Sequence, residues 1–259
     1  MRLFRAFALL VALAAAGLAA PPETGFLNRT VAVDGVDYRY QVFVPANWTP
    51  DQKWPIVLFL HGAGERGDDG LAQTDVGLGH ALRRFPDRYP AVIVMPQCRN
   101  DKFWSDPAME AQALAALERS SKEFNGDAAR TYLTGLSLGG YGTWAIAVRN
   151  PGKFAAIAPV CGGVVAPGSL RGIIPELEAE GGDPYVTAAK KVGSTPVWIF
   201  HGDADKTVPV AESQKMNAAV RAAGGDVRYT EYPGVNHNSW DKAYAEPEFP
   251  KWLLSQRLK

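Results

Sequence analysis

The sequence predicts an α/β fold, a mostly parallel sheet of about eight strands flanked by helices on both faces. Three observations carry this expectation. The runs Pro55–Leu60 and Ala91–Pro96 are continuously apolar, the pattern of strands covered on both sides. Strand-like and helix-like segments alternate from there to the C-terminus, which calls for parallel strands joined by crossovers. The chain has 259 residues, 47% of them hydrophobic, enough to bury one large core as a single domain.

The elements follow in order. Thr30–Asp34 and Tyr38–Val44 alternate in polarity around Asp34-Gly35, which predicts a hairpin. Leu71–Phe85 reads as a helix between the two apolar strands. Pro107–Phe124 is a better one, with Asp106 as N-cap, Pro107 at the first position and Asn125-Gly126 at the end. Strand Arg130–Thr134 precedes a helix over Gly140–Arg149, and Asn150-Pro151-Gly152 stops that helix. Phe154–Val160, Thr195–Phe200 and Val227–Tyr232 predict strands, and Val210–Ala223 a helix closed by Gly224-Gly225. Trp240–Leu258 is expected to hold the last helix, with Pro247 and Pro250 near its start.

One segment exceeds what a crossover needs. Residues 162–192 span about 30 positions, against the usual 10–15 of a crossover helix. The segment is rich in Gly and Pro, with a short helical piece at Ile174–Glu180. It leaves the carboxyl end of a strand, where open α/β sheets bind ligands, and is expected to line a substrate site.

Charge and termini restrict the class. Lys plus Arg and Asp plus Glu balance at 27 each, with no basic patch for nucleic acid. Met1–Arg5 is basic, Ala6–Ala16 is a short apolar run, and Gly17-Leu18-Ala19 is a small-x-small cleavage site. Residues 1–19 therefore read as a signal peptide, followed by one domain over 26–259. The protein is expected to be secreted or periplasmic, without stable membrane insertion once the signal is removed. Cys98 and Cys161 follow the predicted fourth and sixth strands, about three spacings of ~4.8 Å apart, against the ~7 Å that a disulfide allows. The expectation leans against a bond between them.

The chemistry centres on Gly135-Leu136-Ser137-Leu138-Gly139, a Gly-x-Ser-x-Gly pattern between a buried strand and a helix. Such a turn lifts the serine hydroxyl out of the sheet, and its glycines clear room around it. A serine needs a base near neutral pH, and histidine supplies one. His237 lies in Val235-Asn236-His237-Asn238, between the last strand and the last helix. His61 and His201 each end a buried strand and read as strand-end hydrogen-bonding groups, and His80 lies within a helix. In His201-Gly-Asp-Ala-Asp205 two acids compete to orient the base; Asp205 lies further out and is preferred over Asp203, which fits a turn. Leu138 N–H, directly after the serine, is one expected oxyanion donor. The glycine-rich loop His61-Gly62-Ala63-Gly64 offers the second, Ala63 preferred, with Gly62 and Gly64 as alternatives. Trp104, Tyr141 and Trp240 flank these segments and are candidates to stack on a substrate. Neither paired cysteines nor histidine spacing suggests a metal site, and no cofactor is expected.

Longer stretches carry a resemblance. His61-Gly-Ala-Gly-Glu-Arg-Gly-Asp68, Pro96-Gln-Cys98, Tyr132–Trp144, Pro159-Val-Cys-Gly-Gly163 and Glu231–His237 resemble the phospholipase/carboxylesterase-like branch of the α/β-hydrolases. Members are often labelled "predicted peptidase" and are similar to dienelactone hydrolases and secreted polysaccharide esterases. The resemblance runs from about residue 30 to the C-terminus. It implies a serine carboxylic-ester hydrolase of the α/β-hydrolase fold without a separate cap domain, and places its triad on Ser137, Asp205 and His237. A small-molecule or glycan-linked ester is the implied substrate. The long 162–192 segment departs from the pattern. A serine peptidase of prolyl-oligopeptidase type and a non-catalytic polymer-binding protein are the competing readings.

Overall fold

A computed structural model describes residues 22–165, 174, 177 and 180–258. The expected signal peptide and most of the expected helical piece at Ile174–Glu180 lie outside the described residues. Eight strands form one sheet: β1 Gly25–Val33, β2 Val36–Val44, β3 Trp54–Leu60, β4 Val92–Pro96, β5 Gly126–Leu136, β6 Ala156–Val160, β7 Val197–Gly202 and β8 Val227–Tyr232. Their order is β1-β2-β4-β3-β5-β6-β7-β8. β2 runs antiparallel to both its neighbours, and the pairs from β4 through β8 are parallel. The hairpin turn at Asp34-Gly35 has positive φ at both positions, 50° and 79°, which suits the twist of the paired strands.

Helices cover both faces, as the apolar runs require. Strand residues alternate between two cores. Trp54, Ile56, Leu58 and Leu60 pack with α2 (Pro107–Glu123), α3 (Leu138–Arg149), α4 (Pro184–Val192) and α5 (Ala211–Ala222). Val57 and Phe59 pack with α1 (Leu78–Arg84), α6 (Trp240–Ala245) and α7 (Glu248–Ser255). Both cores are built of aliphatic and aromatic side chains, so burial on the two faces is the main stabilising term.

Three helical expectations are corrected. The helix expected over 71–85 is a 3-10 turn at Ala72–Thr74 followed by α1, because Gly77 turns the chain at φ 60°. The final helix divides in two at Glu246-Pro247. Proline disfavours the helical conformation in the residue before it, and Glu246 is extended with ψ 117°. Asp106 holds the N-cap position of α2, but its carboxylate turns back to accept from Phe103 N at 3.1 Å.

The register brings the site together. Leu60 pairs with Gly135, Leu136 with Val160, Val160 with Phe200 and Gly202 with Tyr232. The carboxyl ends of β3, β5, β6, β7 and β8 thus end at about one level. Each is followed immediately by a loop or helix start that carries polar groups.

Candidate active site

Ser137 occupies the turn between β5 and α3 at φ 52°, ψ −115°. This is the left-handed region, costly for a residue with a Cβ, and it persists because its surroundings are tightly determined. The Ser137 N–H donates to Val160 O at 2.9 Å, and Tyr141 N–H returns to Ser137 O at 3.1 Å. Gly139 permits the approach of α3 to β3: a Cβ there would fall 2.0 Å from Leu60 O. The hydroxyl points to the sheet rim, where Ser137 Oγ stands 2.8 Å from His237 Nε2.

His237 reaches that point from the loop after β8. The loop rests on the end of β7, where a Cβ on Gly202 would lie 2.2 Å from Val235 O. Ala204 N–H donates to Val235 O at 3.0 Å, and Asp203 Oδ1 accepts from Gly234 N at 2.7 Å. Asp203 therefore shapes the loop. Asp205 Oδ2 lies 2.7 Å from His237 Nδ1. An ionised carboxylate can only accept, so Nδ1 carries the hydrogen and Nε2 is free to accept from the serine.

Asp205 is fully enclosed, with a side-chain exposure of 0%. Burial opposes its ionisation more than any other single influence. Hydrogen bonds from His201, His237, Val208 N and Thr207 N together outweigh burial and hold the carboxyl well below the usual carboxylate range. Cys161, at the end of β6, has its sulfur within 4.8 Å of ligand atoms of Asp205 and His237. Those two groups are committed to each other, and burial pushes the thiol up to about 12. The thiol is neutral at pH 7 and does not compete with Ser137 as a nucleophile. Cys98 and Cys161 are both buried free thiols.

Leu138 is the first residue of α3, so its N–H is one of the helix's unpaired leading donors and lies directly beside Ser137. Across the rim, His61 and Gly62 are buried at the end of β3 and Ala63 is exposed at the start of a 3-10 turn over Ala63–Glu65. Burial raises the Glu65 carboxyl in that turn, and its Oε2 has no hydrogen-bond partner.

The three aromatic candidates separate. Trp240 is half-buried with its ring edge-on to His237, centroids 5.3 Å apart. Trp104 and Tyr141 are each 1% exposed and offer no face to a ligand. Trp104 is core: its Nε1–H donates to His61 O at 3.0 Å. Tyr141 reaches Val165 O at 3.4 Å, which ties α3 to the first residues of the 162–192 segment. At that segment's other end, Tyr185 OH donates to Glu212 Oε1 at 2.6 Å, while Glu212 Oε2 accepts from Val165 N at 3.2 Å. Glu212, within the helix expected over Val210–Ala223, carried no signal in the sequence that marked it. Sequence reasoning read His201 as an ordinary strand-end residue, although its spacing of four from Asp205 was in view.

A protein of known structure shows the same arrangement of chain, and two curated proteins match in sequence. A thermostable esterase of known structure superposes with a TM-score of 0.73 at 34% identity, covering 90% of this chain and 63% of that one. An uncharacterized secreted protein of Arthroderma benhamiae is 26% identical over 214 residues, 71% of this chain and 21% of that protein. A putative carboxymethylenebutenolidase of Methylorubrum extorquens is 32% identical over 132 residues, 49% of this chain and 42% of that protein. This chain thus spans less than half the length of either curated relative. The sheet order and its helices are those of the α/β-hydrolase fold. The dienelactone hydrolase family profile matches residues 85–246, more than half the chain and all of Ser137, Asp205 and His237, so this protein belongs to the dienelactone hydrolase family.

Proposed function

We propose that this protein is an exported serine esterase that cleaves carboxylic esters through an acyl-enzyme. The supporting observation is the continuous chain from Ser137 Oγ to His237 Nε2 at 2.8 Å and from His237 Nδ1 to Asp205 Oδ2 at 2.7 Å. Ser137 Oγ attacks the ester carbonyl while its proton passes to His237 Nε2. The charge that develops on the ring faces an ionised Asp205. The carbonyl oxygen takes the electron pair and is received by the N–H groups of Leu138 and Ala63, each such donor being worth about 3–4 kcal/mol in the transition state. His237 returns the proton to the departing alkoxide, and the alcohol leaves. Water then attacks the acyl-serine with His237 again as base, and the acid is released. The half-buried Trp240 beside His237 provides an apolar wall for the alcohol or acyl group of a small-molecule or glycan-linked ester. Export rests on the basic, apolar and small-residue sequence of positions 1–19.

Ser137→Ala tests the reading. Turnover of p-nitrophenyl acetate is expected to fall by about four to six orders of magnitude with unchanged thermal unfolding, and a fluorophosphonate probe is expected to label the wild type alone. Hydrolysis at near wild-type rate by the variant rules the mechanism out. Faster cleavage of peptide p-nitroanilides than of acetyl esters assigns the same site to a peptidase. Absence of labelling in the wild type favours a binding protein.

A further inference from the structure

Asp205 faces two imidazoles. We propose that His201, itself seated on Ser213, is a positioning residue for Asp205, so that the working constellation is Ser213–His201–Asp205–His237–Ser137. The proposal rests on the esterase reading for its effect on rate, and on geometry for the rest. His201 Nε2 lies 3.2 Å from Asp205 Oδ2, the same oxygen that His237 Nδ1 meets at 2.7 Å. Both His201 and Asp205 have side-chain exposures of 0%, so water cannot replace the ring. The tautomer is determined by the neighbours. Nε2 also faces Val208 O at 3.1 Å, and both groups before it can only accept, so Nε2 carries a hydrogen. Nδ1 lies 2.7 Å from Ser213 Oγ, which also lies 3.5 Å from Gly162 O. Ser213 is 1% exposed on α5, so the pair is built into the core.

This second histidine completes the seat of the carboxylate. Asp205 Oδ1 accepts from Thr207 N at 2.8 Å and Val208 N at 2.9 Å. Those two bonds anchor one oxygen and leave the carboxylate free to pivot about it. The ring of His201, held from behind by Ser213, blocks the pivot and keeps Oδ2 facing His237. It also withdraws charge from Oδ2, and so tempers how strongly Asp205 stabilises the His237 imidazolium. The other titratable groups in reach are Tyr141 and Cys161 towards Asp205, and Glu231 towards His201. Burial raises the first two and leaves them uncharged at pH 7.

Three variants test the assignment: His201→Phe, His201→Gln and Ser213→Ala. His201→Phe is expected to lower kcat/KM for p-nitrophenyl acetate about tenfold to a hundredfold. Its acid limb in the kcat/KM–pH profile should move up by about half a pH unit, because an Oδ2 relieved of one donor favours charged His237 more strongly. His201→Gln returns an N–H at the Nε2 position and should restore most of both. Ser213→Ala, which leaves the ring but unseats it, should cost about two- to fivefold. The far-downfield proton resonance of His237 Nδ1–H in the free enzyme supplies a readout that needs no substrate, and it should shift in His201→Phe. A folded His201→Phe protein with the wild-type pH profile and resonance overturns the proposal. If that variant does not fold, wild-type kcat/KM and an unshifted resonance in Ser213→Ala overturn it. Failure of the wild type to hydrolyse esters removes the esterase reading alone, since the resonance still reports on the seat of Asp205.

Discussion

The ends of β3 and β7 are built alike and serve different ends. Each closes on a fully buried histidine followed by glycine, His61-Gly62 and His201-Gly202. At β3 the ring is a peg between strands. His61 Nδ1–H donates to Gly62 O at 2.6 Å, and Nε2 accepts from Cys98 N–H at 2.9 Å just past β4. Both partners are backbone, and burial lowers the ring to about 4. At β7 Nδ1 meets the Ser213 hydroxyl, and Nε2 faces both a backbone carbonyl and an ionised carboxylate that also meets His237. A strand-end histidine is thus a neutral structural bond or part of a charged network according to what the following turn places against it.

The contrast can be broken most severely at the carboxylate. Asp205→Asn leaves both β7-side rings facing an amide, and kcat is expected to fall by about four orders of magnitude, with His61 and the β3 end undisturbed. Steady-state kinetics beside a near-ultraviolet circular dichroism spectrum would show this; a loss below tenfold would mean that the acid is elsewhere.

Protonation separates the two ends next. The His61 ring is lowered from 6.5 to about 4, so the unfolded chain binds its proton first as pH falls. The stability it preserves is whole above pH 6.5 and is lost progressively down to about pH 4, by about 3 kcal/mol in all at about 1.4 kcal/mol per pH unit. Glu65, raised by burial, acts in the opposite direction near the lower end. Urea unfolding of the wild type and His61→Gln across this window should show the variant less stable at pH 7 and much less dependent on pH. Parallel curves would refute the peg.

The smallest effects distinguish the aromatic rings. Trp104→Phe removes the Nε1–H bond to His61 O and should cost about 1–2 kcal/mol of stability with KM unchanged. Trp240→Ala should raise KM for aryl esters about two- to tenfold with little change in stability. The reverse assignment of the two outcomes would place Trp104, not Trp240, at the substrate.

Much of this was legible in the chain. The apolar runs at β3 and β4 require helices on both faces, and the order Ser137, Asp205, His237 survives in space because the parallel strands end together. Trp104 and Tyr141 were misread because proximity in sequence to a strand end says nothing about which way a ring turns. Both are packed into the same core, each 1% exposed. The helix break at Gly77 and the division before Pro247 depend on single backbone angles that a periodicity cannot weigh. The second contact of Asp205 went unseen because a spacing of four in a turn has no fixed meaning, unlike the same spacing in a helix.

The common level at which β3, β5, β6, β7 and β8 stop has an evolutionary consequence. The described residues between 162 and 192, Val164, Ile174, Leu177 and α4 among them, extend the first core and leave the shared level of the strand ends in place. Such a platform lets natural variation exchange what is recognised while the machinery beneath it is inherited intact.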